Sequence, residues 1–123
     1  MTEGSPVNEI ITTDDTPTTV DMFRLDPNGP STVDAFGVKG FAILKNNGNN
    51  ATGVLTLSCR GSSISGTYSV DHTFASTSDL DASLDGCTMD FTIDGIYLAV
   101  VVTGLASTTI DWSIRTDYVF GAN

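Results

Sequence analysis

From Thr108 to Phe120 the chain reads T-T-I-D-W-S-I-R-T-D-Y-V-F, and its large apolar residues keep step. Ile110, Trp112, Ile114, Tyr118 and Phe120 fall on one parity, and Thr109, Asp111, Ser113, Arg115 and Asp117 fall on the other. Successive side chains of a strand point to opposite sides, so this segment is a strand with one buried and one wet face. Just upstream, Val100 to Thr109 (V-V-V-T-G-L-A-S-T-T) reads as a strand, a tight glycine-centred turn and a return. The end of the chain is thus expected to be a closing hairpin.

The polar residues agree with an all-β chain. Solvated helix faces are usually built from Glu, Lys, Arg and Ala. Here Thr, Ser, Asp, Asn and Gly dominate instead, and these suit strands and turns. The 15 acidic residues, nearly all Asp, face only 5 basic ones, for a formal net charge of −10. The basic residues (Arg24, Lys39, Lys45, Arg60, Arg115) are scattered in sequence and form no patch there, so a nucleic-acid partner is not expected. The longest wholly apolar run, Leu98 to Val102, is too short for a membrane helix, and no membrane partner is expected. The Met-Thr-Glu-Gly-Ser-Pro start has neither the basic nor the apolar region of a signal peptide.

The remaining segments read as further strands. Around Val20 to Leu25 the apolar parity switches, which implies a bulge or burial on both faces, and Asp26-Pro-Asn-Gly-Pro30 is a turn. Val33 to Lys45 is apolar on both parities and is expected to be a central strand kinked or bulged at Gly37 and Gly40. After the Asn46–Asn50 loop, Leu55, Leu57 and Cys59 alternate, and then Tyr68, Val70, His72 and Phe74. Ala75 to Gly86 is polar, with Leu80 and Leu84 as anchors and room for one short helical turn. Cys87, Met89, Phe91 and Ile93 alternate up to an Asp94-Gly95 hairpin turn, and Ile96 to Thr103 is the centre of its sheet. Seven or eight short strands with regular turns predict an antiparallel, jelly-roll-like β-sandwich. Residues 1–17, poor in large apolar groups, are expected to form an extended N-terminal arm, and residues 18–123 the sandwich domain.

Little in the chain promises chemistry, and the expectation is a protein without catalytic, cofactor-binding or metal-binding residues. The single histidine, His72, shares the apolar parity of Val70 and Phe74 and is expected in the core or a subunit interface. Asp79, Asp81 and Asp85-Gly86 faintly suggest a calcium loop, without the spacing or the closing Glu of an EF-hand. No pair of carboxylates stands out as an acid and a base for glycoside cleavage. Trp112 shares its parity with Ile110 and Ile114, which favours a core tryptophan over a sugar-stacking platform, and Tyr68 and Tyr97 are weaker platform candidates. Cys59 and Cys87 sit on apolar parities and are expected as reduced core thiols, a cross-sheet disulfide being the alternative. Asn50-Ala-Thr52 matches a glycosylation sequon that lacks a secretory context.

The C-terminal half resembles a recurring module of tailed-bacteriophage virion proteins. The residues that carry the likeness are L-D-G-C-T-M-D-F-T-I-D-G from Leu84 to Gly95 and L-A-V-V-V-T-G-L-A-S-T-T-I-D-W from Leu98 to Trp112. Asp14 to Val20 and Val33 to Lys45 also look similar, so the likeness covers most of residues 12 to 120. The chain departs from the usual pattern in its two cysteines and in Gly-Val-Lys-Gly at 37–40, where members often carry a basic turn. The resemblance implies a small jelly-roll-like domain of head decorations, head fibres, tail fibres or tail tips, and it supplies no catalytic residue. The expectation is a non-enzymatic structural virion protein, made in the host cytoplasm and bound outside the head as a decoration or head-fibre subunit. It would form a homo-oligomer, a trimer by preference, on capsid or tail proteins of the same virion, with the arm from Thr2 to Pro17 docked on the shell or on a neighbouring subunit. A tail-associated receptor-binding or adaptor protein is the alternative, and a soluble carbohydrate-binding module is the alternative of another class.

Overall fold

The computed structural model of the protein describes residues 7–25, 33–64 and 66–122. The turn expected at Asp26–Pro30 and the first residues of the expected arm lie outside them. Eight strands follow in order: β1 (Val7–Thr12), β2 (Thr18–Arg24), β3 (Val33–Asn46), β4 (Thr52–Ile64), β5 (Thr67–Leu80), β6 (Thr88–Asp94), β7 (Tyr97–Thr103) and β8 (Ile110–Ala122). One 3-10 turn, Ala82–Leu84, lies between β5 and β6, inside the polar segment expected to hold a short helical turn. Every strand pair is antiparallel. The strands form a large sheet of five, ordered β1-β8-β3-β4-β5, and a small sheet of three, ordered β2-β7-β6. The protein is an antiparallel β-sandwich. The nested pairs β1·β8 and β2·β7 give it a jelly-roll character, and β3-β4-β5 is a simple meander.

The core lies between the sheets. The large sheet supplies Phe36, Val38, Ala42, Leu44, Leu55, Leu57, Cys59, Ile110, Trp112 and Ile114, and the small sheet Met89, Phe91, Leu98, Val100 and Val102. β3 keeps its register with both neighbours through Gly37 and Gly40, so neither glycine is a bulge. A Cβ at Gly40 would lie 3.1 Å from Met89 Cε and 3.2 Å from Phe91 Cζ, so the missing side chain makes room for the facing sheet. Asp94-Gly95 turns β6 into β7 as expected, with Asp94 paired to Tyr97 and Gly95 at φ 63°. A positive φ at the first loop residue is the demand that glycine meets without strain.

The final strand is where alternation placed it, but its connection is different. β7 belongs to the small sheet and β8 to the large one, so 104–109 crosses between sheets and is not a hairpin turn. Gly104 is needed there for close approach, since a Cβ would fall 2.5 Å from Thr12 Oγ1 and 3.0 Å from the Asp14 carbonyl. From the stretch expected as an arm, β1 runs along β8 in register from Val7–Arg115 to Thr12–Ile110. Thr12 is buried, and its Oγ1 accepts a 2.9 Å hydrogen bond from Trp112 Nε1. Trp112 is only 1% exposed and is a core residue.

The small sheet is too short to cover all of the large one. Tyr118, on the inward parity, remains half-exposed and stacks on Phe23 with ring centroids 4.6 Å apart. At the other edge, Asp71 to Asp79 of β5 are exposed on both sides. Sequence alternation fades there because neither face is packed by this chain.

Two buried groups yield expected results. Thr116 is buried, and among the described residues its Oγ1 has no hydrogen-bond partner. Thr116→Val is therefore expected to raise stability by about 1 kcal/mol in urea denaturation, because an orphaned hydroxyl is removed at similar shape. Cys59 and Cys87 are separate buried thiols, each pushed by burial from the ordinary 9.0 up to about 11, with Asp90 adding to the effect at Cys59. A thiol raised in the folded state stabilises fully below its unfolded value, and that contribution disappears as pH rises through the folded value. Stability is expected to fall between about pH 9 and 11. Neither thiol should react with an alkylating probe at neutral pH until the chain is unfolded.

Candidate binding face

The outer surface of the large sheet is where residues scattered in sequence are brought together. Strand register sets Lys39 opposite Asp117, Phe41 opposite Arg115, Ile43 opposite Ser113 and Lys45 opposite Asp111 between β3 and β8. On the other side of β3, the same positions meet Ser58, Thr56, Val54 and Thr52 of β4. Ile11 of β1 adjoins Asp111, and Glu9 adjoins Ser113. All of these side chains share the parity that points away from the core.

β5 completes the face through an irregularity. The register shifts between Arg60 and Gly61, where Val70 pairs with Gly61 and His72 with Arg60, leaving Asp71 as the extra residue. A one-residue slip turns the side chains that follow to the opposite face, until a second shift between Ser58 and Thr56 turns them back. His72 and Phe74 are consequently exposed on the outer surface, opposite Arg60 and Ser58, so of the core and the subunit interface expected for His72 the core is excluded. Their rings stack with centroids 5.9 Å apart. Asp71 accepts hydrogen bonds from Ser62 Oγ at 2.6 Å and Ser69 Oγ at 2.7 Å. These two hydroxyls, Ser62 first, and then nearby Arg60 hold its carboxyl below the ordinary value of 3.8. Beyond the bulge, Thr56 and Thr77 are joined hydroxyl to hydroxyl across the strands.

Two properties distinguish this face. Ile11, Phe41, Ile43, Phe74 and Val119 are 40 to 74% exposed. Phe41 and Ile43, with half-buried Val54, form its apolar centre, beside a shallow hollow of about 240 Å³ lined by Phe41, Ile43, Ser113 and Arg115. Lys39–Asp117 and Lys45–Asp111 bracket that centre along the strands. The second property is charge. Of the five cations in the chain, Lys39, Lys45, Arg60 and Arg115 all lie here, so residues scattered in sequence share one face of the fold. Glu9, Asp71, Asp79, Asp111 and Asp117 share the surface, making it nearly neutral in a chain of net charge −10. Interleaved carboxylates make it a poor match for a phosphate backbone.

The other expected candidates do not converge. Among the described residues no group of His, Cys, Asp and Glu is placed to hold a metal. Asp81 Oδ2 accepts a 2.9 Å hydrogen bond from the Thr52 backbone N–H, which ties the turn after β5 to the start of β4. Trp112 and Tyr68 are buried, which leaves Phe41, Phe74, Tyr97 and Tyr118 as the exposed aromatic rings among the described residues. Sequence reasoning passed over Phe41 and Ile43, although their place on the second parity of β3 was visible.

No family model matches the chain. No curated protein matches it either. Among solved structures it is similar to the tailspike protein of Acinetobacter phage vB_ApiP_P1, at 13% identity and TM-score 0.44, over 95% of this chain and 22% of that one. It is also similar to the tailspike protein of Acinetobacter baumannii phage AM24, at 7% identity and TM-score 0.47, over 96% of this chain and 26% of that one. The chain spans about a quarter of the length of these tailspikes.

Proposed function

We propose that this domain is a non-enzymatic structural module of a tailed-phage virion, carried on the tail, which docks on protein through the outer face of its large sheet. The observation that carries the reading is that face: an apolar centre bracketed by opposite charges, where the titratable groups of the described residues otherwise assemble no metal site. Such an arrangement has the anatomy of a protein interface, apolar inside and polar at the rim. The V-T-G-L-A-S-T-T-I-D-W string, which resembles the virion module, supports the virion part of the reading. Both solved structures named above are tailspikes, so the tail is the location to test first. The head surface, as a decoration or head fibre, is the other arm of the same test. Quantitative gels of purified particles decide between them: the tail reading expects a few to a dozen copies, and hundreds per particle would place the protein on the head.

A further inference from the structure

We infer that the occupant of the outer face of the large sheet is a second copy of this chain. The inference rests on the proposed function only in taking this face as a protein-docking surface, and it holds for either location on the particle.

Charge carries the first part of the argument. Among the described residues Asp14, Asp15, Asp21, Asp85, Asp90 and Asp94 lie off this face, and Arg24 is the one cation of the sequence outside it. Two copies approaching through any other surface bring like charge against like charge, which costs free energy and slows encounter. Through the outer face they meet with charges that nearly balance. Lys39 beside Asp117 and Lys45 beside Asp111 give each copy both signs at both ends of the apolar centre. A surface that carries both signs in this way can complement itself, as an isologous contact requires.

Area carries the second part. Five strands at a spacing of about 4.8 Å, over about ten residues at about 3.3 Å each, make a face of roughly 800 Å². That is about what each partner contributes to a standard protein interface. Sheets stack face to face about 10 Å apart, close enough for Phe41 and Ile43 of one copy to meet those of the other.

Analytical ultracentrifugation of the full chain across about a hundredfold range of concentration tests the inference. The wild-type protein is expected to self-associate reversibly. Phe41→Asp and Ile43→Asp, made separately, are each expected to weaken association about thirtyfold or more, the loss of a central contact. Thermal midpoints measured alongside identify any variant that has lost its fold, and the other then decides. Met22→Asp, an exposed position on the small sheet, is expected to leave association unchanged. A wild-type chain that remains monomeric throughout overturns the inference, as does undiminished association in a folded Phe41 or Ile43 variant. The monomer result would leave the virion reading standing, because copy number on the particle is measured independently.

Discussion

Trp112→Ala is expected to cost the domain about 5 kcal/mol, enough to leave it at the margin of folding. The indole is almost completely buried between the sheets, beside Ile110 and Ile114 on its own strand. Removing it opens a cavity that strands on both sides hold open. It also takes away the 2.9 Å donor to Thr12 Oγ1, the contact that fixes the end of β1 against β8. Urea denaturation followed by far-UV circular dichroism measures the cost without relying on the lost fluorophore. Trp112→Phe keeps much of the apolar volume and loses the hydrogen bond, so it should cost far less. Combined with Thr12→Val in a double-mutant cycle, it should show a coupling of about 1 kcal/mol. A folded Trp112→Ala protein that had lost only glycan binding would instead favour a carbohydrate-binding module. Deleting residues 1–17 is expected to destabilise the sandwich for the same reason, since it removes β1 and bares the edge of β8.

Gly61→Ala is expected to destabilise by about 3 kcal/mol or more, although it adds a single methyl group. That carbon would sit 2.1 Å from Phe36 Cζ and 2.3 Å from the carbonyl oxygen of Ser69. Turning the buried phenyl ring about its own axis leaves Cζ in place, so a ring flip brings no relief. The carbonyl cannot move either, because it belongs to the β4–β5 ladder in which Ser62 pairs with Ser69 and Gly61 with Val70. Relief would have to come from the ladder itself, next to the bulge that turns His72 and Phe74 outward. Gly37→Ala is the matched control. It lies on the neighbouring strand with nothing within 4 Å of the added carbon, and is expected to change stability by no more than about 0.5 kcal/mol. Equal costs for the two substitutions would show that strand glycines matter through backbone entropy alone, and not through the close approach at Phe36.

The sandwich was legible where one face is packed and the other is wet. β8 and β6 alternate cleanly because the small and large sheets bury one side of each. β5 was legible only at its start. From Asp71 onward it overhangs the small sheet, so no burial imposes a period, and the bulge reverses the parity on which His72 was placed. The 104–109 segment carries the short polar and glycine residues of a tight turn, and local chemistry does not distinguish a return within one sheet from a crossing to the other. Gly104 answers to Thr12 and Asp14, partners far away in sequence.

The binding face was harder to see for a related reason. Phe41 and Ile43 made β3 apolar on both parities, which in a sequence suggests burial on both sides. In the fold the second side is exposed. A one-dimensional pattern records that a face avoids water, and it does not record whether the chain covers that face itself. The four cations at positions 39, 45, 60 and 115 come onto one face only through antiparallel register across β4, β3 and β8.

The most direct measurement is a cryo-EM map of the parent particle at a resolution that places these strands. Density for the sandwich is expected on the tail, with Phe41, Ile43 and Val54 buried at a boundary between protein chains and the acidic remainder of the domain turned to solvent. A domain found with its large sheet open to solvent, held to the particle through other surfaces, would contradict the account.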